Sequence, residues 1–229
     1  MHEKLDRVRV VRGRAVAVAG HEDRAEVTLD GGQDLSAGAV VVATGVSTLG
    51  AGDVDWVDAP DTGWLPPLWR AAAADLAGRR VAVLGTDQPL GTWLRAHPNA
   101  DVRFDVFYPA ADQYKTGEVA DEPRVRLDLV ERISIAPVSA GLRVTAWHPH
   151  GGAHVFVVDT VLTNMGSKPA ALTGLEVDAD GYCPPEAQHP RILVAGDLKG
   201  ARMQWIAVAM GDGSRAALTP YYQAQAVPR

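Results

Sequence analysis

The stretch VAVLGTDQPLGTWL, residues 81–94, decides the fold class. Its first residues form a continuous apolar run of strand length, Gly85 marks a tight turn, and the remainder has the length of a short helix. A second apolar run, DVRFDVFYP, follows at residues 101–109. Strand, helix and strand in that order predict a parallel βαβ unit, and therefore an α/β protein.

The sequence before this unit favours β-structure. Residues 8–45 contain short apolar segments separated by the turn signals GHED and DGGQ, which predict a three-stranded antiparallel meander. AVVVAT, residues 39–44, is a continuous apolar run typical of a strand buried on both faces of a parallel sheet. LPPLWRAAAADLAG, residues 65–78, predicts a helix that ends at Gly78.

The sequence after the unit returns to strands and then ends in a helix. Residues 124–163 predict strands with intervening turns, and RILVAGD, residues 191–197, predicts a last buried strand. Residues 203–223 predict a terminal helix, interrupted by Gly211 and Gly213.

Composition excludes several classes of protein. The 229 residues are 47% hydrophobic, enough to bury a sizeable core. A formal charge of −6 without clustering of either sign gives no basic face for nucleic acid. No apolar run is long enough to span a membrane, and the N-terminal residues lack the apolar core of a signal peptide. We therefore expect a cytoplasmic protein with no nucleic-acid or membrane partner.

Four blocks, in order, resemble the pyridine nucleotide-disulfide oxidoreductases of the thioredoxin reductase type. They are VVVATG (40–45), VAVLGTDQPLGTWL (81–94), VLTNMGSKPAALTGLEVDADGY (161–182) and RILVAGDLKGARMQWIAVAMGDGSRAA (191–217). The resemblance implies an α/β, FAD/NAD(P)-binding Rossmann-like fold of two domains. Residues 1–57 and 160–229 would match the later part of an FAD domain, and residues 64–158 an inserted NADPH domain.

The resemblance also implies cofactor contacts. The family has an Asp after the last strand that contacts the ribityl or phosphate region of the flavin, and Gly196 and Asp197 match that position. Gln204 matches a glutamine on the following helix, and Thr44 and Gly45 match the ATG turn. From the residues alone, Asp197 could instead cap a helix at a strand–helix junction.

Four departures from the family pattern shape the functional prediction. The chain starts after the FAD-binding GxGxxG turn, so the first strand and helix of that domain are expected to be missing. Asp87 stands where the NADPH turn needs its second glycine, and Pro89 removes a backbone donor. FYPAADQYK, residues 107–115, offers Lys115 in place of the arginines that read the 2′-phosphate. No CxxC precedes the strand at residue 81.

These departures predict a degenerate oxidoreductase, a non-redox descendant of a thioredoxin reductase-like flavoprotein. It would be an accessory factor or a non-redox biosynthetic enzyme that binds a partner, a peptide or a small molecule. The alternative is an FAD-dependent oxidoreductase subunit whose phosphate site is completed by another chain. FAD would bind only in that case, and NADPH is not expected. Whether the chain is an enzyme stays open, but alone it would not be a dithiol–disulfide reductase.

A missing strand leaves an open sheet edge, which is prone to pair with another chain. We therefore expect a homodimer, or a partner protein that covers this edge by strand addition. Trp205, next to Gln204, is the candidate pocket residue, because it could fill the flavin space or stack on a new ligand. Trp64, Trp69 and Trp93 are expected to pack around the βαβ unit.

The histidine and cysteine residues predict neither a complete metal site nor a reactive cysteine. Strand alternation would place His148 and His150 on one face with His154 nearby, but neither a Cys nor an acid completes a ligand set, so no metal is expected. A hairpin turn with exposed histidines is the simpler interpretation. Cys183, the only cysteine, is expected to be a loop residue, with a redox role shared with another chain as the alternative.

Overall fold

The computed structural model describes the backbone of residues 8–226 and the side chains of residues 8–222. Residues 1–7 and 227–229, which the predicted FAD-like domain includes, lie outside that range. The α-helices are α1 (Ala73–Leu76), α2 (Pro89–Ala96) and α3 (Ile206–Ala226). The strands are β1 (Ala15–Gly20), β2 (Ala25–Leu29), β3 (Asp34–Ala37), β4 (Val40–Val42), β5 (Val46–Thr48), β6 (Val57–Asp58), β7 (Arg80–Leu84), β8 (Arg103–Tyr108), β9 (Val125–Leu129), β10 (Arg132–Val138), β11 (Gly141–Trp147), β12 (Ala153–Val158), β13 (Thr160–Thr163), β14 (Ser167–Pro169) and β15 (Ile192–Val194).

The chain divides into two compact units. The first unit combines Met1–Ser47 with Pro169–Arg229, and the second unit is Thr48–Lys168. The predicted assignment of residues 1–57 and 160–229 to an FAD-like domain, and of 64–158 to an NADPH-like domain, stays a prediction.

The second unit is built on a parallel sheet with the strand order β13-β7-β8-β9. As predicted, β7, α2 and β8 form a βαβ unit, in which β7 pairs with β8 in parallel. An antiparallel sheet of β10, β11 and β12, which β6 joins in parallel, belongs to the same unit. β7 is buried on both faces, which explains why its sequence is continuously apolar rather than alternating.

Alternate residues of β7 face two separate cores. Val81 and Val83 pack with Leu90, Trp93 and Leu94 of α2. Ala82 and Leu84 instead pack with Phe107 and with inward-facing residues of the antiparallel sheet: Ile133, Ile135, Val144, Ala146 and Val158. The second unit is therefore layered as helix, parallel sheet and antiparallel sheet, each sheet face covered by the next layer.

The first unit contains two small sheets and one long helix. β1, β2 and β3 form the predicted antiparallel meander. β4 and β15 form a two-stranded parallel sheet with Val42 opposite Val194. The core of the first unit consists of Val18, Ala25, Val42, Cys183, Ile192, Val194 and Leu198.

Two helix predictions were wrong in detail. The predicted helix at 65–78 is only a 3-10 turn at Leu68–Arg70 and the single turn α1. Pro66 and Pro67 explain why no helix begins at residue 65, because proline lacks an N–H and forces its predecessor out of helical geometry. The two turns are separated by Ala71 and Ala72, whose backbones are extended. In contrast, α3 continues without interruption through Gly211 and Gly213. No helix in the described part of the chain has the length and apolar character needed to cross a membrane.

Candidate functional site

The carboxyl end of β7 forms a crevice of the kind that binds ligands in α/β proteins. β7 lies between β8, the next strand of this sheet in sequence, and β13, its last strand in sequence. The direction of the strand order therefore reverses beside β7. Ligands of open parallel sheets bind outside the carboxyl ends of the strands at such a reversal. We call this region the β7 crevice; it has a volume of about 420 Å³ and is lined by Thr86, Asp87, Gln88, Tyr114, Lys115, Gly117 and Glu118.

Gly85 and Asn164 hold the loop that opens the β7 crevice. Gly85 has a φ of +92°, and a Cβ there would lie 2.5 Å from the carbonyl oxygen of Asn164, so only glycine fits. The Asn164 side chain is buried, and its Nδ2 donates to the carbonyl oxygens of Asp87 at 2.9 Å and Gly85 at 3.4 Å. The loop after β7 is thereby fixed to the end of β13.

Glu118 lies against the first turn of α2. A Cβ at Gly91 would collide with the Glu118 carboxyl group, so the missing side chain of Gly91 makes the space that this carboxylate occupies. Glu118 also forms an ion pair with Arg95, one turn further along α2. A carboxylate beside the first turn of a helix is favoured by the helix dipole.

Lys115, which lines the β7 crevice, forms an ion pair as Arg95 does. Lys115 Nζ lies 2.9 Å from Asp112 Oδ1, and both side chains are largely buried. Burial opposes the charged ammonium, but the hydrogen bond and the charge of Asp112 outweigh it, so the pKa of Lys115 is raised. Arg95 and Lys115 are therefore neutralised by carboxylates, while Asp87 forms no ion pair within the described residues.

The structure brings the predicted flavin-side residues to one edge of the first unit. β4 and β15 are parallel neighbours, so Thr44 and Gly45 after β4 lie at the same end as Gly196 and Asp197 after β15. The Thr44 hydroxyl donates to the carbonyl oxygen of Ala170 at 2.7 Å. The Asp197 carboxylate accepts no hydrogen bond within residues 8–222, so a capping role is not found there.

Gln204 and Trp205 differ sharply in their surroundings. The Gln204 Nε2 donates within the first unit, to the carbonyl oxygen of Gly200 at 3.2 Å and to the Tyr182 hydroxyl at 3.3 Å. Trp205 is 66% exposed. It therefore does not fill a space in the described structure and remains accessible to a ligand.

The three tryptophans around the βαβ unit do not behave alike. Trp93 is buried and packs edge-on against Phe104, as predicted. Trp64 and Trp69 are exposed, which corrects the prediction that they pack in the core. Arg70 lies over both rings, at 5.9 Å from the Trp64 centroid and 4.7 Å from that of Trp69, within cation–π range.

The histidine segment forms a turn rather than a strand face. β11 ends at Trp147 and β12 begins at Ala153, so His148 and His150 lie in the connecting turn. His148 Nδ1 lies 3.2 Å from Asp128 Oδ1, an acid that the sequence did not bring to attention. Among the described residues, no three His, Cys, Asp or Glu side chains are grouped to hold a metal ion.

Cys183 is a core residue of the first unit. It is fully buried, and its backbone N–H donates to the carbonyl oxygen of Leu198 at 3.0 Å. Burial and the nearby charge of Asp178 raise the pKa of its thiol. A buried thiol with a raised pKa is a poor nucleophile, so the geometry agrees with a structural role.

Comparison with known proteins gives a fold. No family model matches the sequence, and no curated protein matches it significantly. Among solved structures, it is similar to thioredoxin reductase of Lactococcus lactis (TM-score 0.70, 14% identity, 93% of this chain and 74% of that chain). It is also similar to thioredoxin reductase of T. acidophilum (TM-score 0.69, 16% identity, 93% of this chain and 74% of that chain). The fold is that of the thioredoxin reductases.

A further similar structure is the HOCl-induced flavoprotein disulfide reductase RclA of Escherichia coli, in a copper(II) complex (TM-score 0.59, 16% identity, 94% of this chain and 51% of that chain). At these identities the likeness shows the FAD/NAD(P)-binding α/β fold alone. The predicted fold class is thus confirmed over about 93% of the chain.

The fold implies two nucleotide cofactors, NADPH and FAD. The residues at the two positions differ in how well they could bind them. In such folds a phosphate lies at the turn after the first strand and at the start of the next helix. Here the turn carries Asp87, and Glu118 lies beside the first turn of α2. The Asp87 carboxylate would repel phosphate, and the Glu118 carboxyl group, paired with Arg95, occupies the space beside Gly91. Pro89 at the start of α2 has no N–H to donate. The β7 crevice therefore does not fit the phosphates of NADPH.

The fit to FAD is partial. Asp197 offers a carboxylate that makes no hydrogen bond within the described side chains, next to Gly196 in the left-handed region with a φ of +72°. However, neither β4 nor β15 leads into a GxGxxG turn, and the described residues add no further strand to their sheet. Sequence reasoning located Asp87 and Asp197 but missed Glu118 and Asn164, because only the tertiary structure brings them to the turn.

Proposed function

We propose that this chain is a non-redox binding protein on the thioredoxin reductase fold, and that the β7 crevice takes a small polar ligand without phosphate groups. It would act as an accessory factor or in non-redox biosynthesis. The single observation that carries the proposal is the pair of carboxylates, Asp87 and Glu118, at the two positions where a phosphate would lie.

Charge favours a cationic ligand. The two basic side chains, Arg95 and Lys115, are each held by a carboxylate, which leaves the carboxylate of Asp87 as the unpaired charge of the crevice among the described residues. An amine or guanidinium group would gain a charge-assisted hydrogen bond there.

Amide NMR of the full chain tests the ligand class with two simple probes, the diamine putrescine and inorganic pyrophosphate. We expect putrescine to shift the amide resonances of Thr86 and Gly117, and pyrophosphate and NADPH to leave them unchanged. Asp87→Asn should weaken the putrescine response, whereas Asp61→Asn, at an exposed acid outside the crevice, should not. No response to putrescine, or a saturable response to NADPH, would overturn the proposal.

The alternative is an FAD-dependent subunit whose phosphate site another chain completes. The observation that favours it is the Asp197 carboxylate, which makes no hydrogen bond among the described residues at the shared end of β4 and β15. A visible absorbance spectrum of the purified chain, before and after addition of FAD, separates the two proposals. A stoichiometric flavin band together with NADPH oxidation would favour the subunit and contradict the non-redox proposal.

A further inference from the structure

Three arginine side chains lie together at the amino end of the parallel sheet in the second unit. β7 begins at Arg80 and β8 begins at Arg103, and the two strands pair in parallel with Arg80 directly opposite Arg103. Arg79 immediately precedes β7. We call these three residues the arginine cluster. Sequence alone did not reveal it, because the register of β7 and β8 is what brings Arg103 beside the other two.

A concavity lies between these arginines. It has a volume of about 310 Å³ and is lined by residues 78–80, residues 101–103 and Asp105. Small-molecule sites in proteins have volumes of about 300–1,000 Å³, so this space matches a small ligand. It opens where the strands begin, whereas the β7 crevice opens where they end, roughly 13 Å further along β7. The two sites are therefore separate.

The charge of the arginine cluster is not neutralised by the protein. None of its three members forms an ion pair with a described residue. Asp105, two positions after Arg103 on the same face of β8, is held instead by Arg126, whose Nε lies 2.9 Å from Asp105 Oδ1. Asp101 is the other acid that lines the concavity. Three guanidinium groups thus face one acid that forms no ion pair among the described residues, an excess of two positive charges.

The backbone beneath the arginine cluster is fixed by hydrogen bonds. The Arg80 N–H donates to Asp159 Oδ2 at 2.7 Å, and the Gly78 N–H donates to the carbonyl oxygen of Asp101 at 3.0 Å. The Asp159 carboxylate does not line the concavity. Because these two N–H groups already have acceptors, a ligand in the concavity would be bound by the guanidinium groups rather than by the turn before β7.

Two of the positive charges face each other across the pair of strands. Neighbouring strands lie about 4.8 Å apart, so Arg80 and Arg103 leave the sheet side by side on the same face. Like charges directly opposite each other on adjacent strands destabilise the pair. An anion between the two guanidinium groups would replace this repulsion with attraction, and the planar fork of arginine matches the oxygen geometry of phosphate.

We propose that the arginine cluster binds a small molecule through a phosphate group. A phosphate monoester carries a charge of about −1.5 to −2 at neutral pH, which matches the excess of two positive charges, whereas one carboxylate would leave half of that excess. A long polyanion such as RNA fits less well, because the chain has a formal charge of −6 and the cluster is a local exception. The proposal is independent of the one made for the β7 crevice.

Amide NMR of the full chain at constant ionic strength tests the site with pyrophosphate as the probe. We expect saturable shifts of the amide resonances of Gly78, Arg80 and Arg103, and none at Thr86 and Gly117, which line the β7 crevice at the other end of the sheet. Inorganic phosphate and methyl phosphate distinguish the two sources of the group. Equal affinities would indicate a free phosphate anion as the ligand, and tighter binding of the ester would indicate a phosphorylated metabolite.

Charge variants should change the affinity for pyrophosphate in opposite directions. Arg80→Gln and Arg103→Gln should each raise the Kd at least about tenfold, because each removes a charge-assisted contact. Asp101→Asn should lower the Kd about two- to fivefold, because it removes the acid that faces the ligand. The matched control is Arg143→Gln, at an exposed arginine of β11 without an ion pair among the described residues, which should leave the Kd unchanged.

Urea unfolding without added anion separates binding from a structural role. Arg103→Gln removes the repulsion from Arg80 and should not lower the free energy of unfolding, whereas a structural role for Arg103 requires a loss. Three results would overturn the proposal: no response to any of the phosphate probes, a response that sodium chloride reproduces, or an equal loss of affinity in Arg143→Gln and Arg103→Gln. Binding of single-stranded RNA without a response to pyrophosphate would also overturn it.

Discussion

The second unit encloses most of its large apolar side chains between three layers, whereas the first unit leaves many of those on its longest helix exposed. Phe104, Phe107 and Ile133 are fully buried in the second unit. Leu198 is the only side chain of the first unit among the largest fully buried ones, within the side chains that the structure describes. The contrast shows that the second unit buries its large side chains in two clusters, while the first unit has one cluster of smaller residues and leaves one side of α3 exposed.

The largest expected effect is on the core of the second unit. Phe107 is fully buried and stacks on Phe156 at 5.7 Å between ring centroids. Phe107→Ala removes this contact and leaves a cavity, so we expect the free energy of unfolding to fall by about 3–5 kcal/mol. Urea unfolding measures the change. Val155→Ala, at an exposed position, should change it by less than about 0.5 kcal/mol, and equal losses in both variants would contradict the proposed layering.

A smaller effect is expected at the end of β7. Asn164→Ala removes the two donors that hold the carbonyl oxygens of Asp87 and Gly85, which should cost about 1–3 kcal/mol. Hydrogen exchange should then show faster exchange of the Asp87 amide, which donates to the backbone of residue 164. If the loss of stability came without faster exchange of the loop, Asn164 would stabilise β13 rather than the β7 crevice.

The sequence predicted the parts of the fold that depend on local pattern. Apolar runs and Gly85 located β7, α2 and β8, because a strand buried on both faces has a distinctive composition. The helix predicted at 65–78 was wrong because two prolines delay its start and the extended residues Ala71 and Ala72 interrupt it, although Gly78 does follow the last helical turn. The continuity of α3 was missed because packing of its inner face offsets the roughly 1 kcal/mol that each glycine costs a helix.

The candidate site was only partly predictable. Asp87 could be located because it follows a predicted strand at a fixed distance. Glu118 is 27 positions away from Gly91 in sequence, and nothing local to either residue indicates that they touch. In the same way, the exposure of Trp64 and Trp69 depends on the path of the chain before and after two prolines, which pattern and composition do not specify.

The smallest expected effect concerns an ion pair of the second unit. Arg124 donates to the carbonyl oxygens of His97 at 2.6 Å and Leu94 at 3.3 Å, and so satisfies the end of α2. Glu122 orients this guanidinium through two hydrogen bonds, at 2.8 and 2.9 Å. The hydrogen bond from Arg124 lowers the pKa of Glu122 below its usual range, although partial burial opposes the shift.

A carboxyl group whose pKa is lowered by folding stabilises the protein fully above its unfolded value of about 4.3, and this contribution is lost as the pH falls through the folded value. Glu122→Gln should therefore cost about 0.5–1 kcal/mol at neutral pH, and the difference from the wild type should disappear in acid. Urea unfolding across the pH range measures this. Glu131→Gln, at an exposed residue without an ion pair among the described residues, is the control. If Glu122→Gln still lowers the free energy of unfolding at a pH below the pKa of Glu122 in the folded protein, the charge of Glu122 is not the cause. The loss would then come from the different hydrogen-bonding geometry of the Gln side chain at Arg124.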